Sequence, residues 1–491
     1  GHKPRTVQRP REVTPPALPA PNRYPPRLMP AQFLLNLAII RAQFMTLSAS
    51  MLKGWLDRWR GRGKTLSRLK PVIIPRDQHA VSRRDISSVA VKTLYRLHDG
   101  GHQAFLIGGG VRDILLGMQP KDFDIATSAT PEQVKQLFGN QCQIIGRRFR
   151  LAHVRWGREV IEVATFRAHH SEGDAANAKT NAEGMILRDN VWGNIEEDAA
   201  RRDFSINAIY YNIADFSLWD FAHGMKDLDA RVLRLIGDPV TRYREDPVRM
   251  LRAIRFAAKL GFSIEEKTAQ PIPELACLIE DISAHRLYDE CQKLFSAGYS
   301  LPVLDLLHEF GLFEVLFPEA ELFPCDLLWQ LTAESTDERV LEGKGINPAF
   351  FYAALLWGVV QDRQGALLAD GVPPVPAWQQ ASQQVLSVQH QRTAVPRHVG
   401  QTVRDIWEMQ AKLEQPRPRQ VEATAQSERF RAGYDFLVLR ELAGEATGGM
   451  GAWWTRWQDA DPGLRAEMAR ALEDKPAAAR KKRKRKPSSN A

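Results

Sequence analysis

Two aspartates separated by one phenylalanine, Asp122 and Asp124, are the residues of this chain best suited to chemistry. In an extended segment alternate side chains share a face, which places the two carboxylates about 7 Å apart. Carboxylate oxygens are the ligands that Mg²⁺ prefers, together with water and phosphate oxygens. The pair therefore indicates a site for divalent cations, although the same spacing is also common at solvated strand ends.

A glycine-rich turn precedes this pair. Gly108, Gly109 and Gly110 follow the apolar segment QAFLIG, and Arg112 lies in the first turn of the helix predicted after them. Glycine leaves backbone amides open to an anion, and the start of a helix favours negative charge. A glycine turn close to an aspartate pair is more specific than either feature alone, and it predicts that phosphate and metal are bound together.

Glu162 is a further acidic residue that could join this site. It lies in the segment REVIEVATF, which predicts a strand with Val160 and Ala164 on the same face as Glu162. A carboxylate in so apolar a strand is costly to bury unless it is paired or coordinated. Glu162 is therefore either a third metal ligand or the partner of an arginine such as Arg150 or Arg167.

The segment RRDFSINAIYYN contains another polar cluster. Asp203 and Asn207 are four residues apart and follow Arg202. On a helix, residues at this spacing share a face. The cluster either orients the ribose or triphosphate of a nucleotide or only caps and holds its own helix.

A helix with an unusual charge pattern is predicted over EDPVRMLRAIRFAAKL. At about 100° per residue its cations fall within one arc of about 120°, and apolar residues fill the opposite side. Like charges at this spacing repel each other, so a stripe of cations without interleaved acids favours contact with phosphate. The cations are Arg249, Arg252, Arg255 and Lys259.

These segments together resemble one family, the class II nucleotidyltransferases, which include bacterial poly(A) polymerases and tRNA CCA-adding enzymes. Three segments of this chain carry the resemblance. The family's head motif is matched by LIGGGVRDILLGMQPKDFDIATSATPEQV, its second motif is matched by RRDFSINAIYYN, and the helix that follows is matched by REDPVRMLRAIRFAAKLGF. The resemblance covers roughly residues 72–320 and weakens toward residue 460. The segment IIGRRFRLAHV resembles the signature that separates the poly(A) polymerases from the CCA-adding enzymes, and no HD-type phosphohydrolase motif is visible.

The resemblance implies a role for individual residues. Asp122 and Asp124 would be the metal-binding catalytic pair, and Asp203 would be a further acid of the active site. Asp246 and Arg249, in the segment EDPVR, would pair with the edge of the incoming base. This qualifies the interpretation of the basic helix, because Arg249 would then face a base rather than a phosphate.

The resulting hypothesis is template-independent addition of AMP from ATP to the 3′ ends of RNA. In this hypothesis the glycine turn and Arg112 contact the nucleotide phosphates, and Lys259 contacts the RNA. Two Mg²⁺ ions, with Mn²⁺ as an alternative, would lower the pKa of the RNA 3′-hydroxyl and stabilise the leaving pyrophosphate. CCA addition to tRNA is the nearest alternative. A non-catalytic RNA-binding protein with the same fold is a second one.

The fold class expected is an α/β nucleotidyltransferase head, with a small mixed sheet and flanking helices, followed by an all-α body. A flexible N-terminal extension, rich in proline at its start, and a basic C-terminal tail complete the chain. The predicted boundaries are 1–75 for the extension, 76–215 for the head, 216–300 for a helical neck, 301–470 for the body and 471–491 for the tail.

Composition bears on partners and location. The formal net charge of +9 and the pI of about 9.4 indicate a polyanionic partner, and charge alone does not separate nucleic acid from an acidic membrane surface. The resemblance implies RNA as the partner, with RNA-decay or RNA-chaperone proteins as further candidates. The four cysteines are far apart, as in proteins of a reducing cytoplasm. The apolar segment AQFLLNLAIIRAQFMTLSASML is interrupted by Arg41 and does not predict a membrane span, but peripheral attachment at the inner membrane surface is an alternative.

The basic tail yields a quantitative prediction. If about five of its cations contact RNA phosphates, they should contribute roughly −3.5 to the slope of log affinity against log salt for single-stranded RNA. Truncation after Ala479 should remove this contribution, whereas truncation after Lys486 should keep it. An unchanged slope in the shorter chain would contradict an RNA-binding role for the run Arg480, Lys481, Lys482, Arg483, Lys484, Arg485 and Lys486.

Overall fold

The computed structural model describes residues 70–146, 150–168, 178–180, 186–189 and 191–472 of the 491 residues. Three predictions fall wholly or partly outside these ranges. They are the N-terminal extension before residue 70, the centre of the poly(A) polymerase signature at residues 147–149, and the basic run at residues 480–486.

Within the described residues, eight strands form one mixed sheet in the order β1-β10-β9-β2-β3-β6-β5-β4. Two further pairs, β7 with β8 and β11 with β12, lie apart from it. The strands are β1 (Val72–Ile74), β2 (Ala104–Ile107), β3 (Asp124–Thr127), β4 (Cys142–Ile145), β5 (Leu151–Trp156), β6 (Glu159–Thr165), β7 (Ala178–Thr180), β8 (Ile186–Asp189), β9 (Ile209–Asn212), β10 (Leu218–Asp220), β11 (Val232–Leu233) and β12 (Ser263–Ile264).

Strand β2 is buried on both faces, and its side chains enter two different cores. Leu106 joins the main hydrophobic cluster, whereas Phe105 and Ile107 join a smaller cluster on the other face. This division follows from the alternation of side chains along a strand. A continuously apolar strand such as β2 is thus suited to the centre of a sheet that is covered on both sides.

Helices of the head flank this sheet. Helix α3 begins as predicted, with Pro131 at its first turn and a capping box between Thr130 and Gln133. Its Val134 and Phe138 join the main cluster, while Ile195 of α4 joins the smaller cluster on the opposite face. The helices of this region are α1 (Ser88–Asp99), α2 (Gly109–Leu115), α3 (Pro131–Phe138), α4 (Ile195–Ala200) and α5 (Gly224–Ala230).

Helices dominate the rest of the described chain. The predicted basic helix is α7, and its buried apolar side includes Met250, Leu251 and Ile254, as the helical wheel predicts. These helices are α6 (Pro239–Glu245), α7 (Val248–Leu260), α8 (Glu266–Ala269), α9 (Ile272–Leu275), α10 (Ala284–Phe295), α11 (Ser300–Glu309), α12 (Phe313–Leu316), α13 (Pro318–Leu322), α14 (Asp326–Leu341), α15 (Pro348–Leu355), α16 (Trp357–Ala369), α17 (Pro374–Thr393), α18 (Arg397–Glu414), α19 (Val421–Ala425), α20 (Phe430–Leu442), α21 (Met450–Asp459) and α22 (Pro462–Arg470).

The expected fold class, an α/β head followed by a helical body, is confirmed. The boundaries drawn between head, neck, body and tail stay predictions. Among the described helices, none combines the length and the apolar character that crossing a membrane requires.

Gly224 at the start of α5 lies where the chain leaves no room for a side chain. A Cβ there would lie 2.3 Å from the carbonyl oxygen of Ser205, which belongs to the short turn that also carries Asn207. Because a backbone carbonyl cannot rotate away as a flexible side chain can, Gly224→Ala should cost about 1–3 kcal/mol of unfolding free energy.

The matched control is Gly365→Ala in the interior of α16, where a Cβ meets open space. That change should stabilise the fold by about 0.5–1 kcal/mol, because alanine is the better helix former. Urea unfolding of both variants measures the difference. Equal unfolding free energies for the Gly224→Ala and Gly365→Ala variants would contradict the close approach of α5 to the Ser205 turn.

Candidate active site

A cleft of about 430 Å³ lies at the start of β3, on the face of the sheet that carries Ile107. Residues from the sheet, α4, α7 and α10 contribute to its walls, which are strongly charged. Its acidic residues are Asp124, Glu162, Asp198, Asp203 and Asp246, and its arginines are Arg167, Arg201, Arg202, Arg249, Arg252 and Arg286.

The register of the sheet places two carboxylates side by side in this cleft. Strand β3 pairs with β6 in parallel, so that Asp124 is the direct neighbour of Glu162. Desolvation by the surrounding protein, together with the nearby charges of Glu162 and Asp122, raises the pKa of Asp124 to about 6, while Arg202 opposes the shift. Asp124 is therefore an acidic group surrounded by other acids, which a bound cation would stabilise.

Asp122 is exposed and precedes β3, and the glycine turn packs against this same segment. A Cβ on Gly110 would lie 3.4 Å from the carbonyl oxygen of Asp122, and one on Gly108 would lie 3.9 Å from Oδ2 of Asp124. Gly108 also has a φ of 67°, which residues with side chains rarely adopt. The structure thus brings together the glycine turn and the aspartate pair that the sequence predicted to act together.

The structure places a histidine beside Glu162, in addition to the arginines that were weighed as its partners. His153 lies opposite it on β5, with Nε2 3.6 Å from Oε2 of Glu162. Arg150 instead donates to Glu132 at 2.5 Å. Glu162 is half exposed on the cleft face, so its carboxylate lies beside Asp124 without being buried.

Arg112 departs from its predicted position at the phosphate. It is only 2% exposed, and its guanidinium donates to Oδ1 of Asp113 and to Oδ1 of Asn207. It also lies over the ring of Phe256 on α7. Because Arg112 is buried and its donors point to protein groups, it connects α2 to the turn that carries Asn207.

Asp203 and Asn207 do lie together, but on a bend and a short 3₁₀ turn rather than on an α-helix. Asn207 donates through Nδ2 to Oδ1 of Asp203 at 3.2 Å. Burial alone would raise the pKa of Asp203, but the charge and hydrogen bonds of Arg252 hold it well below its usual range. Asp203 is therefore ionised and engaged by protein groups at the cleft wall.

The basic face of α7 carries no acid of its own, as the sequence indicates, but its cations are not without partners. Acids from other elements approach its cations. Arg249 lies 3.1 Å from Glu245, Lys259 lies 3.3 Å from Asp113, and Arg252 forms an ion pair with Asp203. Arg255 has the longest of these pairs, at 3.9 Å from Glu290. The helical wheel could not reveal these acids, because most of them come from distant parts of the chain.

Three family models match this chain in order. They are the "Poly A polymerase head domain" over residues 104–234, the "Probable RNA and SrmB- binding site of polymerase A" over 261–323, and the "Polymerase A arginine-rich C-terminus" over 370–489. Poly(A) polymerase I of Escherichia coli O6:H1 is 44% identical over 434 residues, which is 86% of this chain and 93% of that protein. The chain belongs to the poly(A) polymerase family.

CCA-adding enzymes are more distant relatives of this poly(A) polymerase family member. The enzyme of Bacillus subtilis is 36% identical over 227 residues, or 46% of this chain and 55% of its own length. A solved CCA-adding enzyme of Thermotoga maritima complexed with tRNA covers 79% of this chain and 87% of its own, with a TM-score of 0.53 and 18% identity. This last likeness shows a shared fold. The resemblance to class II nucleotidyltransferases, closest to the poly(A) polymerases, is confirmed.

Sequence reasoning missed two arginines of this family member: Arg286, which lines the cleft, and Arg242, which holds the backbone of two cleft residues. Arg286 on α10 donates from Nη2 to Oδ2 of Asp246 at 2.8 Å, and it also lines the cleft. Arg242 on α6 is 5% exposed and donates to the carbonyl oxygens of Arg201 and Arg202. Its burial, with the nearby charge of Arg249, lowers the pKa of Arg242 to about 10. Both contacts span about 40 residues of sequence, so no local pattern could indicate them.

The donor groups of the cleft fit a divalent cation. Ionised oxygen ligands with like-charged neighbours are the chemistry that Mg²⁺ requires, and desolvation together with the charge of Glu162 raises the pKa of Asp124, so a cation would stabilise its ionised form. In the described ranges, however, no three acidic, histidine or cysteine side chains lie close enough to hold an ion. Glu162 as a third ligand thus stays a prediction, and the aspartates would need oxygens from water or substrate.

The raised pKa of Asp124 predicts a pH-dependent stability. Because the fold favours the protonated form, the ionised carboxylate destabilises the ion-free protein above pH 6, and this penalty disappears below about pH 4. Asp124→Asn should therefore raise the melting temperature of the ion-free protein at pH 8 and leave it unchanged near pH 4.

The control is Asp229→Asn on the exposed side of α5, which makes the same change of charge. Thermal unfolding in excess chelator at both pH values measures the difference between the two variants. A gain at pH 8 that is no larger for Asp124→Asn than for Asp229→Asn would contradict the like-charge environment of Asp124.

Proposed function

We propose that this chain is a template-independent poly(A) polymerase that transfers AMP from ATP to the 3′ ends of RNA. Its membership of the poly(A) polymerase family gives the enzyme class, a polynucleotide adenylyltransferase. The single observation that supports this chemistry is the aspartate segment held against a glycine turn, with Asp124 lining a cleft that also contains Asp246 and Arg249.

Asp122 and Asp124 are the proposed ligands of divalent cations. When bound, two such ions, Mg²⁺ or alternatively Mn²⁺, would supply Lewis-acid stabilisation of the charge that develops in phosphoryl transfer. The chain contributes the ligands at the edge of the cleft, where Asp124 is fixed by the pairing of β3 with β2 and β6. Gly108, Gly109 and Gly110 would leave room for the phosphates beside these carboxylates.

Arginines of the same cleft would hold the triphosphate. Arg202 and Arg252 line it and are oriented by carboxylates, since Arg202 donates to Asp198 and Arg252 to Asp203. An arginine held in this way presents its remaining donors in a fixed direction, which suits recognition of phosphate oxygens. Arg255, which has the longest ion pair of α7, is the further candidate for a phosphate or ribose.

Asp246 and Arg249 would select the base. A carboxylate accepts from the amino group of adenine, and a guanidinium donates to a ring nitrogen beside it. Arg286 orients Asp246 at 2.8 Å, and Glu245 orients Arg249 at 3.1 Å. Because each recognition group is held by an oppositely charged neighbour, the pair can present a defined pattern to one base.

RNA is the proposed polymer substrate. The family models that match residues 261–323 and 370–489 are described as an RNA-binding site and an arginine-rich C-terminus. We propose that the run at residues 480–486 contacts the RNA backbone. RNA-decay or RNA-chaperone proteins as partners, a cytoplasmic location and attachment to the inner membrane surface remain proposals drawn from the sequence.

The activity can be tested with radiolabelled ATP and an unstructured RNA. The wild type should add long A tails in the presence of Mg²⁺. Asp122→Asn and Asp124→Asn should each reduce incorporation to background with the fold retained, whereas Asp229→Asn should keep wild-type activity. Incorporation that persists in both cleft variants would contradict the proposed metal site.

The same assay separates the alternatives. CTP and ATP are supplied one at a time, with either the unstructured RNA or a tRNA that lacks its CCA end. Long A tails on the unstructured RNA support the proposed function. Addition of only C and A residues to the tRNA would favour CCA addition, and no incorporation on either RNA would favour a non-catalytic RNA-binding protein.

A further inference from the structure

Six polar side chains form a series of five contacts between the glycine-turn helix α2 and the helix α7. Each member contacts the next by a hydrogen bond or ion pair: Lys259 to Asp113 at 3.3 Å, Asp113 to Arg112 at 2.8 Å, Arg112 to Asn207 at 2.8 Å, Asn207 to Asp203 at 3.2 Å, and Asp203 to Arg252 at 2.8 Å. The two ends of this series, Arg252 and Lys259, are seven residues apart on one face of α7, about 10 Å along its axis, so the helix itself joins them and completes the ring. These residues are called the polar ring below.

An aromatic side chain lies next to the polar ring. Phe256 of α7 is 8% exposed, and the guanidinium groups of Arg112 and Arg252 lie 5.1 and 5.3 Å from the centre of its ring. Its edge packs against Phe204 at 5.7 Å between ring centres. Cation–π contacts and the low local dielectric strengthen the polar contacts around Phe256. The polar ring should therefore resist rearrangement.

The position of Asn207 in the polar ring requires a side chain that both donates and accepts hydrogen bonds. Arginine can only donate and an ionised aspartate can only accept, so the group between them must do both. The amide of Asn207 accepts from Arg112 through Oδ1 and donates to Asp203 through Nδ2. Asn207 therefore connects α2, which follows the glycine turn, to Asp203 at the wall of the cleft.

The members of the polar ring differ in their access to a nucleotide. Asp203 and Arg252 line the cleft. Arg112 and Asn207 are 2% and 5% exposed and are enclosed by their protein partners. A direct contact of these two with ATP would require their present hydrogen bonds to break.

We propose that Asn207, Arg112 and Lys259 are positioning residues, which fix α7 and its base-recognition group Arg249 relative to the glycine turn and Asp124. This inference rests on the proposed function, and it replaces the sequence interpretation in which Arg112 and Asn207 contact the nucleotide and Lys259 contacts RNA. The ring acts through Asp203 and Arg252, the members that line the cleft. Its loss leaves the groups that bind ATP present, but it misaligns the bound nucleotide relative to Asp124.

The first test is Asn207→Ala against Asn212→Ala. Asn212 on β9 is the matched control, because its side chain accepts only from the backbone of Ala214 among the contacts shown. Asn207→Ala should lower kcat for AMP addition on the order of 100-fold, since misplacement of reacting groups costs rate. The KM for ATP should change by less than about threefold, because the groups that bind ATP remain.

A second variant covers the case in which Asn207→Ala fails to fold. Lys259 is half exposed, so Lys259→Met should fold and should lower kcat without weakening RNA binding. Lys259→Arg, which keeps a cation near Asp113, should restore kcat. A loss of RNA affinity in Lys259→Met at unchanged kcat would overturn the inference in favour of an RNA contact.

Two other results would also overturn it. A raised KM for ATP at unchanged kcat in Asn207→Ala would show direct contact with the nucleotide, and kinetics equal to those of Asn212→Ala would show that Asn207 has no positioning role. Both results presuppose an active wild type, so they leave the proposed function intact. A wild type that adds no AMP would contradict the proposed function and, with it, this inference.

Discussion

Asp124 and Glu162 are neighbours on parallel strands with both carboxylates toward the same cleft, and this like-charge contact is the constraint on which the site depends. Isolated acids would separate in water, but the register of β3 and β6 holds them together. Desolvation and the charge of Glu162 together raise the pKa of Asp124. A fold that keeps acids together in this way has a built-in affinity for a cation, and it sacrifices some stability in the absence of one.

Charge compensation explains how so many arginines can line one cleft. Arg202, Arg249 and Arg252 each have a carboxylate within hydrogen-bond distance, and the carboxylates come from α4, α6 and the bend at Asp203. Each acid lowers the cost of burying its arginine and fixes the direction of the guanidinium. The charges of these arginines are thus largely balanced by their paired carboxylates. The remaining N–H donors of the arginines still face the cleft, where an anionic substrate could accept from them.

Helix α7 links the two halves of this arrangement. Its first turn carries Arg249 in the cleft, and its last turn carries Lys259 against Asp113, in the helix that follows the glycine turn. One rigid helix therefore spans the distance from the groups proposed for the base to the groups proposed for phosphate and metal. The polar ring around Phe256 gives this helix a defined position, because Arg252 and Lys259 anchor it at two points to Asp203 and Asp113.

Sequence alone determined the local elements and the aspartate segment. The alternation in β2 and β6, the capping box of α3 and the apolar side of α7 follow from short-range rules, and the motifs around Gly108, Asp122 and Asp203 carried the family resemblance. Tertiary structure decided which charges meet. Arg112 binds Asn207 across 95 positions, Lys259 binds Asp113 across 146, and Arg286 binds Asp246 across 40. A helical wheel describes one helix, whereas the partner of a buried charge is set by whichever element packs against it.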